Sequence, residues 1–316
     1  MNELLDALAF SFSVTGPIFV VLALGVGLMR VGLLNDNFVD TGAKLVFNVA
    51  LPALLFISIS KTRFEAAANF GLIGLGLVGT LAIFVALEWG ARRWVATPTD
   101  RGVFVQGCFR SNMGIIGLAL CVNAYGEAGL VAASLYLGLV TILFNVLAVM
   151  TLSRSLNTHR SAGQLIKGIV RNPLIIGIVA ALPVSWAGIE LPALVLQSGQ
   201  YFANLSLPLA LLCTGAALDF GQLRRDVRTT LVVGGIKLVA VPLVFVVCGL
   251  IAGFRGVDLG VLMLMSGAPT AAASYVMVRA MGGNAVLAAN IIAVTTLGSI
   301  LTTSVGVLVL RAAGLM

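Results

Sequence analysis

The sequence predicts an all-α integral membrane protein with ten transmembrane helices in two inverted five-helix repeats. The composition gives the fold class, because 59% of the 316 residues are hydrophobic and 10% are charged, against about 25% charged in an ordinary soluble domain. Motifs that recur between the two halves of the chain give the arrangement. So few charges could not solvate the surface of a globule of this size. The composition therefore excludes a soluble enzyme, a disordered protein, a collagen and a coiled coil.

Ten segments are long and apolar enough to cross about 30 Å of hydrocarbon, which takes about 20 residues of helix. The predicted spans are 11–29, 38–60, 70–91, 102–125, 128–152, 173–189, 193–219, 229–253, 257–282 and 285–311. No basic residue precedes the first apolar run, as one would in a secretory signal peptide, so this run is expected to be a permanent span.

The basic residues predict the orientation of these spans. With the N-terminus outside, thirteen of the nineteen Lys and Arg residues fall on inside loops and span ends, and four fall outside. The positive-inside rule therefore favours both termini outside. The same rule explains the net charge of +7 better than nucleic-acid binding does, so no nucleic acid is expected as a partner.

The two halves of the chain share features at a shift of 156 residues. Pro17 coincides with Pro173, and the strings 48–52 and 204–208 share the pattern Asn-x-x-Leu-Pro. The chain therefore divides into a first repeat at 1–152, a cytoplasmic connecting loop at 153–172 and a second repeat at 173–316. Because five spans is an odd number, the second repeat must enter the membrane upside down. Inverted repeats are typical of secondary transporters, although a duplicated scaffold without transport is the alternative.

Spans 4 and 9 are expected to be interrupted at mid-depth. The middle of span 4 holds Arg110, Ser111 and Asn112 between glycines, and the same shift aligns it with 266–274, which contains a glycine and Pro269. Gly and Pro weaken helices, and paired interruptions in two halves indicate a transporter site. A half-helix that begins at such a break presents N–H groups and partial positive charge. Together with Arg110, it suits an organic anion, especially a carboxylate.

The predicted substrate-binding residues lie at these interruptions and at polar positions within the spans. They are Arg110, Ser111, Asn112, Gly114, Asn145, Pro269, Thr270, Ser274, Asn48 and Asn204. Structural alternatives remain for Pro269, as a simple kink, and for Arg110, as a snorkelling residue or as the cap of a half-helix C-terminus. Asn48 and Asn204 could instead join helices by hydrogen bonds.

Lys237, in span 8, is expected to pair with an acid on the cytoplasmic side, such as Glu88 or Asp219. No acidic residue lies mid-span, which argues against a proton relay through a buried carboxylate. The chain has no HExxH motif, no histidine within a span and no Walker A motif, and its four cysteines have no CxxC spacing. An enzyme, a metal site and a bound cofactor are therefore not expected, and a sodium ion is left open.

Several short strings occur in a characteristic order over essentially the whole chain. They are Leu51-Pro52-Ala53-Leu54, Phe109-x-x-Asn112 followed by Gly117, Arg171-Asn172-Pro173, and Leu207-Pro208-Leu209-Ala210-Leu211-Leu212 with Gly215. In order and spacing they resemble the auxin efflux carrier family, which includes plant PIN-FORMED carriers and bacterial permeases thought to carry malate or malonate. The compact loop 153–172 resembles the bacterial branch, which implies an inner-membrane protein with periplasmic termini.

The resemblance implies broken spans 4 and 9 that cross at mid-membrane, in a fold similar to that of sodium–bile acid symporters. It also implies a scaffold of spans 1, 2, 6 and 7, a mobile transport part of spans 3–5 and 8–10, an elevator-like movement and a homodimer. The family's crossover asparagine maps to Asn112 and its span 9 proline to Pro269. The chain departs from the family at Ser111 and Ala119, where many relatives have proline.

The sequence thus predicts a secondary transporter that moves a small organic anion, a mono- or dicarboxylate, across the inner membrane. One alternative is a sodium-coupled symporter of larger amphipathic anions. The alternative from another class is a channel or a non-transporting membrane scaffold. The expected partners are the anion, the lipid bilayer and a second copy of the chain.

Overall fold

A computed structural model describes residues 2–61, 69–156, 163, 170–218 and 227–316. Helices make up almost all of this part of the chain, and no strand occurs in it apart from one isolated β-bridge. Among these described residues, six helical segments are long and apolar enough to cross a membrane. They are Leu8–Arg30, Asp36–Ser60, Phe70–Trp94, Met113–Leu156, Val227–Ile251 and Ala285–Ala312.

The described residues of the first half of the chain form six α-helices. They are α1 (Asn2–Arg30), α2 (Asp36–Leu45), α3 (Leu51–Ser60), α4 (Phe70–Trp94), α5 (Arg101–Phe109) and α6 (Leu118–Leu156). A π-helical turn at Val46–Ala50 joins α2 to α3, and a second at Met113–Gly117 leads into α6. Gly126 lies within α6 with φ 59° and ψ −137°. Because glycine adopts this conformation readily, it kinks the segment between predicted spans 4 and 5.

Seven α-helices lie in the part of the second half that the structure describes. They are α7 (Pro173–Ala187), α8 (Ala193–Ala216), α9 (Val227–Gly235), α10 (Val241–Ile251), α11 (Gly256–Gly267), α12 (Ala273–Ala280) and α13 (Ala285–Ala312). A π-helical turn at Ile236–Ala240 joins α9 to α10. The polar side chains of Gln197, Gln200 and Asn204 lower the hydropathy of α8, which is not one of the six apolar segments.

Asparagine side chains start four of these helices. Asn35, Asn69, Asn172 and Asn284 each accept a hydrogen bond from a backbone N–H in the first turn of α2, α4, α7 and α13. Such a cap satisfies one of the N–H groups that a helix start leaves without an intrahelical partner. These four helix starts are therefore encoded locally, by single residues of the sequence.

The helices pack in two groups. In one group, α8 contacts α1, α2 and α3, and α3 also contacts α7; in the other group, α4–α6 pack with α9–α13. Glycines bring α1 and α8 together, because a Cβ built on Gly25 would lie 2.3 Å from the Leu212 carbonyl oxygen and one on Gly215 would lie 2.1 Å from that of Leu22. Small residues of this kind allow close contact between membrane helices. Between the groups, α1 contacts α6 and α13, and the Ser11 hydroxyl donates to the Ser304 carbonyl at 2.8 Å.

Candidate functional site

Two helices are interrupted in the interior of the protein, as predicted. Helix α5 ends at Phe109 and helical structure resumes at Met113, and α11 ends at Gly267 before α12 begins at Ala273. In the second interruption, Ala268 is extended (φ −57°, ψ 143°), as expected of a residue directly before a proline. The first interruption contains no proline, so a different interaction must hold it open.

The two interrupted segments pair with each other as a short antiparallel bridge. The N–H of Asn112 donates to the Pro269 carbonyl (2.7 Å), and the N–H of Ala271 donates to the Arg110 carbonyl (2.9 Å). These bonds flank the bridge between Ser111 and Thr270. Backbone groups that a broken helix exposes must find partners when water is absent. Each break supplies partners for the other, and this pairing joins the two helices at a crossing.

Two hydroxyl groups complete the crossing in a matched way. The Thr270 hydroxyl donates to the Gly107 carbonyl (2.7 Å), and the Ser111 hydroxyl donates to the Ser266 carbonyl (3.2 Å). Each carbonyl lies in the last turn of the opposite half-helix, where carbonyls lack intrahelical partners. A local two-fold relation therefore pairs Ser111 with Thr270. The repeat of 156 residues would instead pair Ser111 with Gly267, three residues earlier, so the inferred shift does not hold at the crossing.

Lys237 lies at this crossing, and its expected pairing with Glu88 is wrong. Its side chain is fully buried, and its Nζ donates to the Ser111 hydroxyl (2.6 Å) and the Ser266 carbonyl (2.5 Å). Glu88 instead accepts from Thr151 and forms an ion pair with Arg154 at 3.5 Å. The alternative partner, Asp219, lies outside the described residues. The lysine joins the π-helical turn between α9 and α10 to both interrupted helices.

A cavity of about 150 Å³ lies where the interrupted helices resume. Its walls come from the crossing, from α6, and from the group formed by α1–α3, α7 and α8. The lining residues are Phe47, Leu51, Arg110, Ser111, Asn112, Met113, Gly114, Ile115, Leu137, Thr141, Phe144, Asn145, Asn172, Leu174, Ala271 and Ala273. The cavity therefore lies between the two packing groups and is apolar except for a few convergent polar groups, which is typical of a small-molecule site.

Arg110 supplies the positive charge of this cavity. The residue is 6% exposed, and its guanidinium donates to Asn145 Oδ1 (2.7 Å) and to the sulfur of Met277. Within residues 2–61, 69–156, 170–218 and 227–316, no carboxylate forms an ion pair with it. A guanidinium has five N–H donors, and a buried charge without a counter-charge is costly. A negatively charged guest would lower that cost.

The first backbone N–H groups after the first interruption have no acceptor within their own helix. The first hydrogen bond after the first interruption runs from the Gly117 N–H to the Asn112 carbonyl (3.0 Å). The N–H groups of Met113, Gly114 and Ile115 precede it, and the first N–H groups of a helix have no intrahelical acceptor. Such a helix start carries partial positive charge and binds anions. The guanidinium and the helix start thus favour the same kind of guest.

Half of the predicted binding residues line this cavity. They are Arg110, Ser111, Asn112, Gly114 and Asn145. Asn145 also holds the guanidinium in place by accepting its hydrogen bond. The side chain of Ser111, in contrast, is engaged with Lys237 and the Ser266 carbonyl, so its hydroxyl stabilises the crossing.

The other predicted residues do not line the cavity. Pro269, Thr270 and Ser274 belong to the crossing, and the buried hydroxyl of Ser274 has no hydrogen-bond partner in the described part of the chain. Asn48 and Asn204 are exposed, and neither is among the lining residues. Each bonds within its own helix, Asn48 to the Lys44 carbonyl and Asn204 to the Gln200 side chain, both at 2.8 Å.

Sequence reasoning missed three polar residues. Thr141 lies one helical turn before Asn145, and this i, i+4 spacing on an apolar helix would have placed both on one face. Asn172 lines the cavity while it caps α7. In the sequence it stands out only as part of the string Arg171-Asn172-Pro173. The sequence predicts that Lys237 pairs with an acid on the cytoplasmic side, although an ionisable residue inside a membrane span is by default a functional candidate.

The chain is similar in sequence to a known protein family and to several curated proteins. A family described as membrane transport protein matches residues 12–307. An uncharacterized transporter of Methanothermobacter thermautotrophicus is 27% identical over 266 residues, 80% of this chain and 83% of that protein. The uncharacterized transporter MJ1031 of Methanocaldococcus jannaschii is 23% identical over 85% of this chain and 89% of its own length. The uncharacterized transporter YfdV of Escherichia coli K12 is 22% identical over 93% of this chain and 96% of its own length.

Proposed function

Because the chain belongs to the membrane transport protein family, the auxin efflux carrier family that its motifs resemble, we propose that it is a secondary transporter of a small organic anion. The substrate class is a mono- or dicarboxylate. The anion binds in the cavity at the helix crossing, against the Arg110 guanidinium and the first-turn N–H groups of the half-helix that begins at Met113.

The observation that carries this proposal is a buried guanidinium in a cavity wall with which no carboxylate of the described ranges is paired. A guanidinium fits a carboxylate with two parallel, charge-assisted hydrogen bonds. The substrate supplies the counter-charge that the described part of the chain does not. The cavity volume of about 150 Å³ matches the size that holds one benzene molecule in another protein. This size supports a small anion over a large amphipathic one.

Ten membrane crossings fit the proposal better than six. A helix of 44 residues, the length of Met113–Leu156, would measure about 66 Å at 1.5 Å per residue, about twice the hydrocarbon thickness. The kink at Gly126 divides it into two crossings. The first of these crossings is completed by α5 across the interruption, and α11 together with α12, α7 and α8 supply the other three. In this arrangement the two halves are inverted repeats, and the local two-fold relation at the crossing supports them.

The position of the cavity between the two packing groups supports alternating access by an elevator-like movement. The group of α4–α6 and α9–α13 carries Arg110 and Asn145. The wall that the other group contributes is mostly apolar and includes Phe47, Leu51 and Leu174. Sliding the group of α4–α6 and α9–α13 against the other group would carry the bound anion past these walls. The helix crossing itself would stay intact. Inverted repeats supply the two related conformations that such a cycle needs.

The proposal is tested by binding and by flux. Purified protein is heated with acetate, malonate, malate or the neutral analogue malonamide, since a ligand that binds the folded state raises the melting temperature. A carboxylate that stabilises the protein is then tested for uptake into proteoliposomes. The expected result is stabilisation and uptake of at least one carboxylate and no effect of malonamide. Equal stabilisation by malonamide, or carboxylate binding unchanged in Arg110→Gln, would contradict the site.

A further inference from the structure

We infer that the Lys237 ammonium group is the resident cation of the helix crossing and takes the position that an exchangeable sodium ion takes in cation-coupled carriers. Anion transport by this protein then needs no sodium. The inference rests on the proposed function, because it specifies how the same carrier is coupled. It follows from the ligands of the lysine, from its place in the crossing and from the charges around it.

The ligands of Lys237 are those of a monovalent cation site. In secondary transporters, carbonyls of unwound backbone and the C-terminal ends of half-helices coordinate sodium. The Lys237 Nζ contacts the Ser266 carbonyl at 2.5 Å and the Ser111 hydroxyl at 2.6 Å. Ser266 lies in the last turn of α11, and a helix C-terminus carries partial negative charge. The ammonium is a compact point charge that suits these oxygens.

The interruption is what makes the Ser266 carbonyl available. In a continuous α-helix this carbonyl would accept from the N–H of Thr270, four residues later. That N–H donates instead to the Thr295 hydroxyl at 3.1 Å. The carbonyl is left to Ser111 and Lys237, which are both buried. The break in α11 therefore creates a cation ligand, and the lysine side chain occupies it.

Lys237 and the cavity lie on opposite sides of the crossing. The cavity is lined by residues where the half-helices begin, such as Met113 and Ala273, and Lys237 does not line it. The lysine instead contacts a residue where a half-helix ends. The positive helix starts thus face the anion and the negative helix end faces the ammonium. Lys237 is a positioning residue that acts through Ser111, the one residue common to both sides.

The charges around Lys237 leave no room for a metal cation on the same oxygens. In the part of the chain that the structure describes, the partners of Lys237 are the Ser111 hydroxyl and the Ser266 carbonyl, and no carboxylate is paired with the lysine. A sodium ion brought to the Ser266 carbonyl would meet the ammonium at contact distance without an anionic ligand to offset the repulsion. Removing the ammonium would leave the carbonyl and the hydroxyl free to bind a small cation.

Melting temperature tests the inference without any substrate. Wild-type protein is heated in sodium chloride and in choline chloride at equal ionic strength, and the two melting temperatures are expected to agree. Lys237→Ala is heated in choline, sodium and ammonium chloride. It should melt lower than wild type in choline and recover part of the loss in sodium or ammonium, which fit the vacated position. Lys61→Ala, at an exposed lysine that bonds to Gln200, should not respond.

Uptake measurements test what the inference implies for transport. Wild-type uptake should be equal with sodium and with choline outside. Lys237→Gln, which keeps a donor and loses the charge, should lower uptake by about tenfold or more, the effect of losing one charge-assisted hydrogen bond. This variant is assayed in membrane vesicles without purification, so it decides the question even where Lys237→Ala does not survive in detergent.

Three results would overturn the inference. They are wild-type uptake or melting that depends on sodium, Lys237→Gln that transports like wild type, and a folded Lys237→Ala that gains nothing from any small cation. These results are distinct from failure of the proposed function. A protein that binds no carboxylate fails that proposal, whereas the melting comparison contains no anionic substrate and still reports whether Lys237 holds a cation position.

Discussion

Replacement of Arg110 by glutamine separates a binding role from a structural one. Glutamine keeps a hydrogen-bond donor close to the cavity but removes the charge and the two-pronged geometry. Truncating one partner of a buried, hydrogen-bonded charge pair costs about 2–5 kcal/mol. At 1.4 kcal/mol per tenfold, the lower bound is a loss of about 30-fold in affinity for the carboxylate. Arg110→Lys keeps the charge without the planar fork and should lose less.

The same substitution should not destabilise the empty protein. The guanidinium is 6% exposed and donates to Asn145 and Met277, and a hydrogen bond from a charged group contributes about 1.5–3 kcal/mol. Against this, burying an ion without a counter-charge costs several kcal/mol, and the described residues give Arg110 no carboxylate. Removing the charge relieves that cost. The melting temperature of Arg110→Gln without substrate should therefore stay level or rise.

The assay measures carboxylate affinity by titration and melting temperature without ligand, on the same preparations. Arg154→Gln is the matched control, because its side chain is 64% exposed and its ion pair with Glu88 is 3.5 Å long. An exposed pair of this kind contributes at most about 1 kcal/mol, so neither quantity should change much. If Arg110→Gln melts several degrees lower and binds the carboxylate like wild type, then Arg110 is a structural bridge and the proposed site is wrong.

Three further predictions follow from the crossing and from the orientation. Gly114→Ala should fold normally, because a Cβ there would lie 3.9 Å or more from its neighbours, but it should lower carboxylate affinity by occupying part of the cavity, as titration and melting would show. Thr270→Val leaves the Gly107 carbonyl without its hydroxyl donor and should lower the free energy of unfolding by about 1–3 kcal/mol, measured by denaturation in detergent. In a background without exposed cysteine, Glu127→Cys should react with an impermeant thiol reagent from outside and Thr99→Cys should not. The reverse pattern would overturn the orientation.

The positions of the interruptions were predictable from the sequence. Glycines surround Arg110–Asn112, and the other break has glycine and proline at Gly267 and Pro269. These residues weaken helices wherever they occur, so their effect is local and can be seen in the chain. The asparagines that cap α2, α4, α7 and α13 are also local signals. The mostly apolar walls of the cavity could not be assigned in this way, since every span is rich in the same residues.

The register of the crossing was not predictable from the sequence. It depends on which backbone groups pair across the two breaks, and these groups are identical in every residue. The pairing of Ser111 with Thr270 is three residues away from the alignment that the prolines and asparagines of the repeat suggest. The first break has no proline and is held by the same hydrogen bonds as the second, so the interaction between the breaks matters more than the residues that start them.

The partner of Lys237 was missed for a related reason. A search for its counter-charge looks for an acid, and the nearest acids along the predicted topology are Glu88 and Asp219. Its actual acceptors are a carbonyl and a hydroxyl that only the crossing brings together. A carbonyl in the interior of a helix is already bonded, so nothing in the sequence marks the one at Ser266 as free. It becomes available only because the N–H of Thr270 bonds elsewhere.

The crossing also accounts for two buried cations, Arg110 and Lys237, with which no carboxylate of the described residues is paired. Two helices that break together bring a pair of positive helix starts and a pair of negative helix ends to one point. Lys237 binds at an end, beside Ser266, and needs no carboxylate because a carbonyl and a hydroxyl serve as its ligands. The Arg110 side chain reaches the cavity beside the helix start at Met113. The partial charge of a helix start is positive, like that of the guanidinium. Its charge and that of the helix start then add, and only a guest anion can offset them. Under the proposed function, Lys237 is therefore the fixed charge of the crossing and Arg110 is the charge that binds the anion.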